Sequence, residues 1–101
     1  MDLNKELNAA SVLLQNAFKA EIKRQNLVGT GKLLNSIKVK FNVSTDGNIK
    51  FTISAEDYFE YLDKKYNITT NVKNSSGFSL FTNELKRVYN LYLLEELTKL
   101  N

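Results

Sequence analysis

Apolar residues recur at steps of three and four along the first quarter of the chain, the spacing of one face of an α-helix. The stripe consists of Leu3, Leu7, Ala10, Leu14, Ala17, Phe18 and Ile22. Asp2 is suited to cap the N-terminus, and Lys23 and Arg24 suit the negative end of the helix dipole. The pattern predicts a long amphipathic helix over residues 2–26, ended by a connector at Gly29 and Gly31.

Two segments of alternating apolar and polar residues follow, and alternation with a period of two is typical of half-buried strands. Asp46-Gly47 lies between the segments and is a strong turn signal. We therefore predict an antiparallel hairpin with lysines on its outer face. Its inward-facing apolar residues are Ile37, Val39, Phe41, Ile49, Phe51 and Ile53.

The segment after the hairpin has a mixed pattern. Residues 55–66 are rich in aromatic and acidic side chains and fit either a short helix or an extended segment. Residues 67–72 contain β-branched side chains, which makes a third strand possible. Residues 73–77 are polar and predict a loop.

A second long helix is predicted over residues 79–100, with Ser79 or Thr82 as its cap. Its apolar residues cover most of its circumference, as in helices buried in a large core or in an interface. A chain of 101 residues has no large core. We therefore predict that Leu94 and Leu97, or Leu91, contact another chain or another copy of this one.

Length and composition fit one domain over residues 1–101, of the α+β class: a long N-terminal helix, an antiparallel β-hairpin and a C-terminal helix. The net charge is only +3, and the longest basic runs are pairs. Each pair is better interpreted as a solvated face than as a track for phosphates. The opening residues do not resemble a signal peptide, and no apolar run is long enough to cross a bilayer.

The composition argues against an enzyme. The chain contains neither His nor Cys, so the commonest general base, the thiolate nucleophile and the usual zinc ligands are missing. Gly29-Thr30-Gly31-Lys32 lacks the upstream glycine of a phosphate-binding loop. We predict no catalytic residues, no metal site and no cofactor.

The acidic cluster Glu56, Asp57, Glu60 and Asp63 is the remaining candidate for chemistry. Paired carboxylates hydrolyse glycosidic bonds or hold Mg²⁺ in some enzymes. Lys64 and Lys65 follow directly, so a solvated or ion-paired surface is the better interpretation. We predict structural roles for Glu60 and Asp63, as partners of basic groups.

Two short motifs, at residues 30–37 and 58–63, lie on either side of the predicted hairpin. Through them the chain, over roughly residues 10–66, resembles the tail-completion (neck) family of tailed bacteriophages. The first, Thr30-Gly31-Lys32-Leu33-Leu34-Asn35-Ser36-Ile37, is similar to the family's Thr-Gly, basic, Leu, Ser-Ile pattern before a strand. The second, Tyr58-Phe59-Glu60-Tyr61-Leu62-Asp63, is similar to its Tyr, Tyr, aliphatic, acid pattern after the hairpin. The motif residues are Thr30, Gly31, Leu33, Ser36, Ile37, Tyr58, Tyr61, Leu62 and Asp63.

The resemblance implies a structural virion protein, a ring-forming head–tail connector in which these residues shape the protomer. The implied partners are copies of the same chain and other neck or tail proteins. The implied location is the head–tail junction or upper tail, reached from the host cytoplasm during assembly, with at most non-specific contact to DNA in the lumen. Residues 29–32 and 67–77, as polar connections, are predicted to touch neighbouring subunits.

The lysine face of the hairpin favours an alternative function. Lys38, Lys40 and Lys50 share one side of the predicted strands. They could contact phosphates in a small nucleic-acid-binding or regulatory module of a mobile element.

Overall fold

The first helix, α1 (Leu3–Arg24), is the element on which the hairpin and the later helices pack. The computed structural model describes residues 2–27 and 31–98 of this protein. The backbone N–H of Lys5 donates to the Asp2 carboxylate at 3.2 Å, which confirms the predicted cap. The predicted apolar stripe is buried from Leu7 to Ile22, and Leu3 is half-buried.

The end of α1 does not depend on the glycines. Asn26 adopts a left-handed conformation, with φ of 60°. The N–H of Leu27 donates to the carbonyl of Ile22, and that of Asn26 to Lys23, both at 3.0 Å. These are the two bonds of a Schellman motif, in which Asn replaces the usual Gly. The expectation that glycine stops the helix was therefore wrong, because Asn26 does so first.

A short helix, α2 (Lys32–Ser36), leads into the hairpin. Strands β1 (Lys38–Val43) and β2 (Ile49–Ser54) pair antiparallel, with Phe41 opposite Phe51. The predicted hairpin is confirmed. Packing against the core weakens towards the tip: Val39 is buried and Phe51 partly buried, whereas Val43 is 38% exposed.

The prediction of a possible third strand over residues 67–72 is wrong. Helices α3 (Phe59–Tyr66) and α4 (Ile68–Lys73) occupy that part of the chain, joined by Asn67 in a left-handed conformation with φ of 53°. Ile68 and Val72 stand one helical turn apart and are both fully buried. Burial of this pair on α1 and α5 outweighs the weak β-preference of its branched side chains.

The last helix, α5 (Ser76–Thr98), begins three residues before the predicted start, because the hydroxyl of Ser75 accepts the N–H of Phe78 at 3.2 Å. The cap is therefore Ser75, and Ser79 and Thr82 lie inside the helix. The predicted loop over residues 73–77 shrinks to a turn at 74–75.

Helix α5 runs antiparallel to α1. Gly77 lies against Ala17 at one end of the pair, and Arg87 Nη2 bonds to Glu6 Oε2 at 2.6 Å near the other. A methyl group at Gly77 would stand 3.0 Å from the Ala17 Cβ, so glycine permits this close approach. The described elements give the predicted α+β fold.

Phe51→Ala tests the attachment of the hairpin. The Phe51 ring meets Phe81 of α5 edge-on, with centroids 5.0 Å apart. We expect the substitution to lower the free energy of unfolding by about 3 kcal/mol, the lower end of the range for a buried Phe. Thr52→Ala, on the solvent face of the same strand, should change it by less than about 0.5 kcal/mol. Chemical denaturation measures both, and equal effects would contradict the assignment of the two faces.

Candidate functional site

The far end of α5 extends past the helix it packs on. Arg87 meets Glu6, and α1 begins only three residues before Glu6, at Leu3. In an antiparallel pair the start of α1 therefore lies beside about residue 90 of α5. The following turns of α5, to Thr98, have no α1 beside them. The protein accordingly measures 56 Å along its longest axis and only 24 and 19 Å across.

Exposed leucines follow one side of α5. Leu80 is 60%, Leu91 39% and Leu94 58% exposed. Leu91 is eleven residues after Leu80, which returns it to nearly the same side of the helix. This exposure is consistent with the prediction that the core of one chain does not bury Leu91 and Leu94. The side chain of Leu97 lies outside the described part of the structure.

A shallow apolar groove opens on another side of α5, where this helix, the start of α1 and the hairpin tip meet. We call it the hairpin groove; its lining includes Leu3, Leu7, Val43, Ile49, Tyr89 and Tyr92. Tyr89 is 53% exposed at its edge. Such an apolar concavity is suited to receive an apolar side chain.

The first family-like motif is a structural corner. Gly31 has φ of 84°, a conformation that glycine adopts without strain, and it precedes α2. Leu33 and Ile37 are buried in the core. The hydroxyl of Ser36 donates to the Leu33 carbonyl and accepts the backbone N–H of Glu56 at 3.1 Å. Thr30 lies outside the described residues.

The second motif divides between surface and core. Leu62 packs against the core, whereas Tyr58 and Tyr61 are 44% and 64% exposed. Both oxygens of the Asp63 carboxylate accept from Thr69, one from its N–H at 2.6 Å and one from its hydroxyl at 2.7 Å. Asp63 thus holds the start of α4. Its partner is a neutral residue and not the basic group that we expected.

Glu56, in the segment between β2 and the second motif, contacts the first motif twice. Its backbone bonds to Ser36, and its carboxylate lies 4.0 Å from Lys32 Nζ. The contact joins the first motif to the segment after β2, twenty positions later in the chain. These two contacts hold α2 against the segment that follows β2.

The acidic cluster does not converge. Glu60 pairs with Lys64 at 3.7 Å on an exposed surface, as predicted, whereas Asp63 points to Thr69 and Glu56 to Lys32. Within residues 2–27 and 31–98, no group of three or more acidic side chains is arranged to hold a metal ion. No helix in the same ranges is long and apolar enough to cross a membrane.

A buried carboxylate that sequence reasoning missed lies on α1. Glu21 is 6% exposed and accepts from Arg24 Nε and Nη2, both at 2.7 Å, and from Gln25 at 2.6 Å. Asn71 of α4 adds a fourth bond at 2.9 Å. The spacing of three residues between Glu21 and Arg24 is visible in the sequence. The bond from Asn71 to Glu21 is not, because it joins residues fifty positions apart.

These bonds, that from Arg24 foremost, lower the pKa of Glu21 from 4.5 to about 2 despite its burial. The donors are Arg24 and Gln25, at the end of α1, and Asn71 of α4, so the bonds connect these two helices. The hydrogen bonds that hold α1 and α4 together therefore account for the lowered pKa of Glu21.

Comparison with family models, curated proteins and solved structures finds no match to this chain.

Glu21→Gln tests the network by pH. The folded pKa is below the unfolded one, so Glu21 stabilises the protein fully above about pH 4.5 and loses this effect as pH falls towards 2. We expect the substitution to cost about 2–3 kcal/mol near neutral pH and progressively less in acid. Denaturant titrations between neutral pH and about pH 2.5 measure the difference.

Glu60→Gln, in an exposed ion pair, is the matched control and should have little effect at any pH. A deficit of Glu21→Gln that stayed constant into acid would contradict the role of its charge.

Proposed function

We propose that this chain is a structural protein that assembles with copies of itself, as a ring-forming head–tail connector or tail-completion component of a tailed bacteriophage. The apolar surface of α5 carries the proposal. Leu80, Leu91 and Leu94 are exposed along one side of a helix whose last described turns extend past the start of α1. Monomeric proteins rarely leave apolar side chains in such a row, whereas subunits of assemblies bury them against neighbours.

The motif residues support the same proposal. Gly31, Leu33 and Ser36 form a corner that fixes the start of the hairpin. Leu62 and Asp63 attach α3 and α4 to the body. These are roles in shaping a protomer, which is what resemblance to the neck family implies for them. Tyr58 and Tyr61 are exposed and are available to a neighbouring subunit.

Residues 67–77, one of the two segments predicted to touch neighbouring subunits, do not form the polar loop on which that prediction was based. Residues 67–77 are mainly helical, with Ile68 and Val72 in the core, and are no adaptable loop. Any contact through them would use the outer faces of α4 and of the first turn of α5. In the connector at 29–32, residues 29 and 30 lie outside the described part of the structure, and Lys32 begins α2.

Particle composition tests the function. We expect tailed particles from the organism that encodes this chain to contain it, in a number of copies per particle that fits one ring. Density-gradient purification followed by quantitative mass spectrometry measures this number. Electron microscopy of the purified protein should show closed rings, the usual product of heterologous contacts whose rotation closes. Particles that lack the chain would refute the assignment.

The lysine face of the hairpin supports a second candidate, a small nucleic-acid-binding or regulatory module. Lys38, Lys40 and Lys50 are all exposed on the side of the sheet away from the core. In a ring, the same lysines could make the weak DNA contact expected in a lumen.

A triple substitution of these lysines by Gln separates the two candidates. For a connector, wild-type binding to duplex DNA should be weak, indifferent to sequence and lost as salt rises. The triple variant should weaken it without preventing assembly, as measured by fluorescence anisotropy and sedimentation. Tight, sequence-dependent binding that the variant abolished would favour the regulatory module.

A further inference from the structure

The two edges of the hairpin differ in their free backbone groups. In an antiparallel pair, hydrogen-bonded residues alternate with residues whose N–H and C=O point away from the partner strand. The N–H of Ser44 donates to the Asn48 carbonyl at 2.9 Å, so the even-numbered residues bond across the hairpin and the odd-numbered ones point outwards. Val39 agrees with this alternation, because its N–H donates to Gln15 Oε1 of α1, at 3.1 Å, and not to β2.

Helix α1 covers the edge of β1, whereas the edge of β2 is open. α1 packs along β1 and supplies Gln15 to its outward N–H groups. On β2 the outward groups are the N–H and C=O of Ile49, Phe51 and Ile53. Among residues 2–27 and 31–98, no group bonds to them, and the sheet ends at β2. We call this row of backbone groups the β2 edge.

Strand β2 has few of the features that protect an open edge. Native proteins use Pro, bulges and charged side chains for this purpose. The chain contains no Pro, and the register of the hairpin runs without a bulge. The one charged residue of β2 is Lys50, exposed on the solvent face. It opposes only those strand additions that place another positive charge beside it.

The sequence of β2 matches a second copy of itself. Its residues Ile49-Lys50-Phe51-Thr52-Ile53 have the same order of apolar and polar side chains in both directions. Two copies paired antiparallel about Phe51 place Phe51 opposite Phe51, Ile49 opposite Ile53, and Lys50 opposite Thr52. Every outward N–H and C=O of both β2 edges then has a partner, and the apolar side chains of both hairpins share one face.

Other registers of the same pair satisfy fewer groups. A shift by one residue turns the apolar side chains of the two copies to opposite faces. A shift by two residues leaves one of the three outward-pointing residues beyond the end of the partner strand. In one direction this shift also sets Lys50 opposite Lys50, and like charges directly opposite are destabilising.

We propose that two copies of this chain pair through their β2 edges and form one antiparallel four-stranded sheet. The odd-numbered pairs exchange two backbone hydrogen bonds each, as in strand addition to an open sheet. The contact also covers the sides of Ile49, Phe51 and Ile53, which one chain buries only in part. It goes beyond the ring proposed above and is independent of it, because it uses none of the exposed leucines of α5.

Single cysteines test the contact, since the chain contains none of its own. Lys50→Cys and Thr52→Cys change exposed positions, so both variants should fold as the wild type does, checked by circular dichroism and thermal unfolding. Mixed in equal amounts and oxidised, they should form a disulfide-linked dimer, because these positions face each other with Cα atoms about 4.5 Å apart. Either variant alone places its two cysteines on a diagonal of about 7–8 Å and should link several-fold less.

Lys40→Cys, on the same face of β1, is the matched control. Mixed with Lys50→Cys it should give no more linked dimer than either variant alone, because β1 of one copy lies two strand spacings, about 9.5 Å, from β2 of the other. Equal linking by both mixtures, or none by Lys50→Cys with Thr52→Cys, would overturn the proposed pairing. Either result leaves the neck assignment standing, because particle composition decides it separately.

Charge at position 52 tests the register independently. Thr52→Lys sets like charges opposite each other twice in the dimer, and Thr52→Glu sets a negative charge opposite Lys50 twice. Both are compared with Thr52 in a Leu94→Asp background, so that the leucines of α5 contribute less to association. Sedimentation equilibrium should give a dissociation constant about tenfold higher for Thr52→Lys and several-fold lower for Thr52→Glu. Changes in the same direction would contradict the register.

Discussion

Close packing of α1 on α5 is the interaction on which the rest of the structure depends. Gly77 lets the two backbones approach at Ala17, and the ion pair between Arg87 and Glu6 holds the other end of the antiparallel pair. The hairpin and α4 have too little apolar surface to fold alone and bury what they have on this pair. A loss of fit between the two helices would therefore loosen every other element.

The short helices are attached by polar groups as well as by packing. Glu21 of α1 bonds to Asn71 of α4, and Asp63 of α3 bonds to Thr69. Gln25 and Asn71 also donate to the Tyr66 carbonyl, at the end of α3. The bonds to the Glu21 and Asp63 carboxylates are charge-assisted, and such bonds are stronger than neutral hydrogen bonds. These bonds fix the orientation of α3 and α4, because the few buried side chains of these short helices constrain it only weakly.

Size limits what one chain can bury, and this limit links the fold to the proposed function. Once α1, the hairpin and α4 cover one side of α5, none of the elements described in residues 2–27 and 31–98 covers the exposed leucines on its other side. The same geometry leaves the hairpin groove open at the tip of β1 and β2. In the proposed assembly, contacts between copies would bury the exposed leucines, while the contacts of Ser36 and Asp63 fix the shape of the chain that presents them.

The sequence by itself determined the elements whose periodicity is strong: α1 with its buried stripe, the hairpin with its lysine face, and the long α5. It also indicated that Leu91 and Leu94 exceed the capacity of one core. Only the tertiary structure decided the segment after the hairpin, where burial of Ile68 and Val72 made a helix from β-prone residues. It alone revealed the Glu21 network and the hairpin groove, because contacts such as Glu21 with Asn71 join positions fifty residues apart. Local propensity and period act over a few neighbouring residues, whereas a site forms where the fold brings distant residues together.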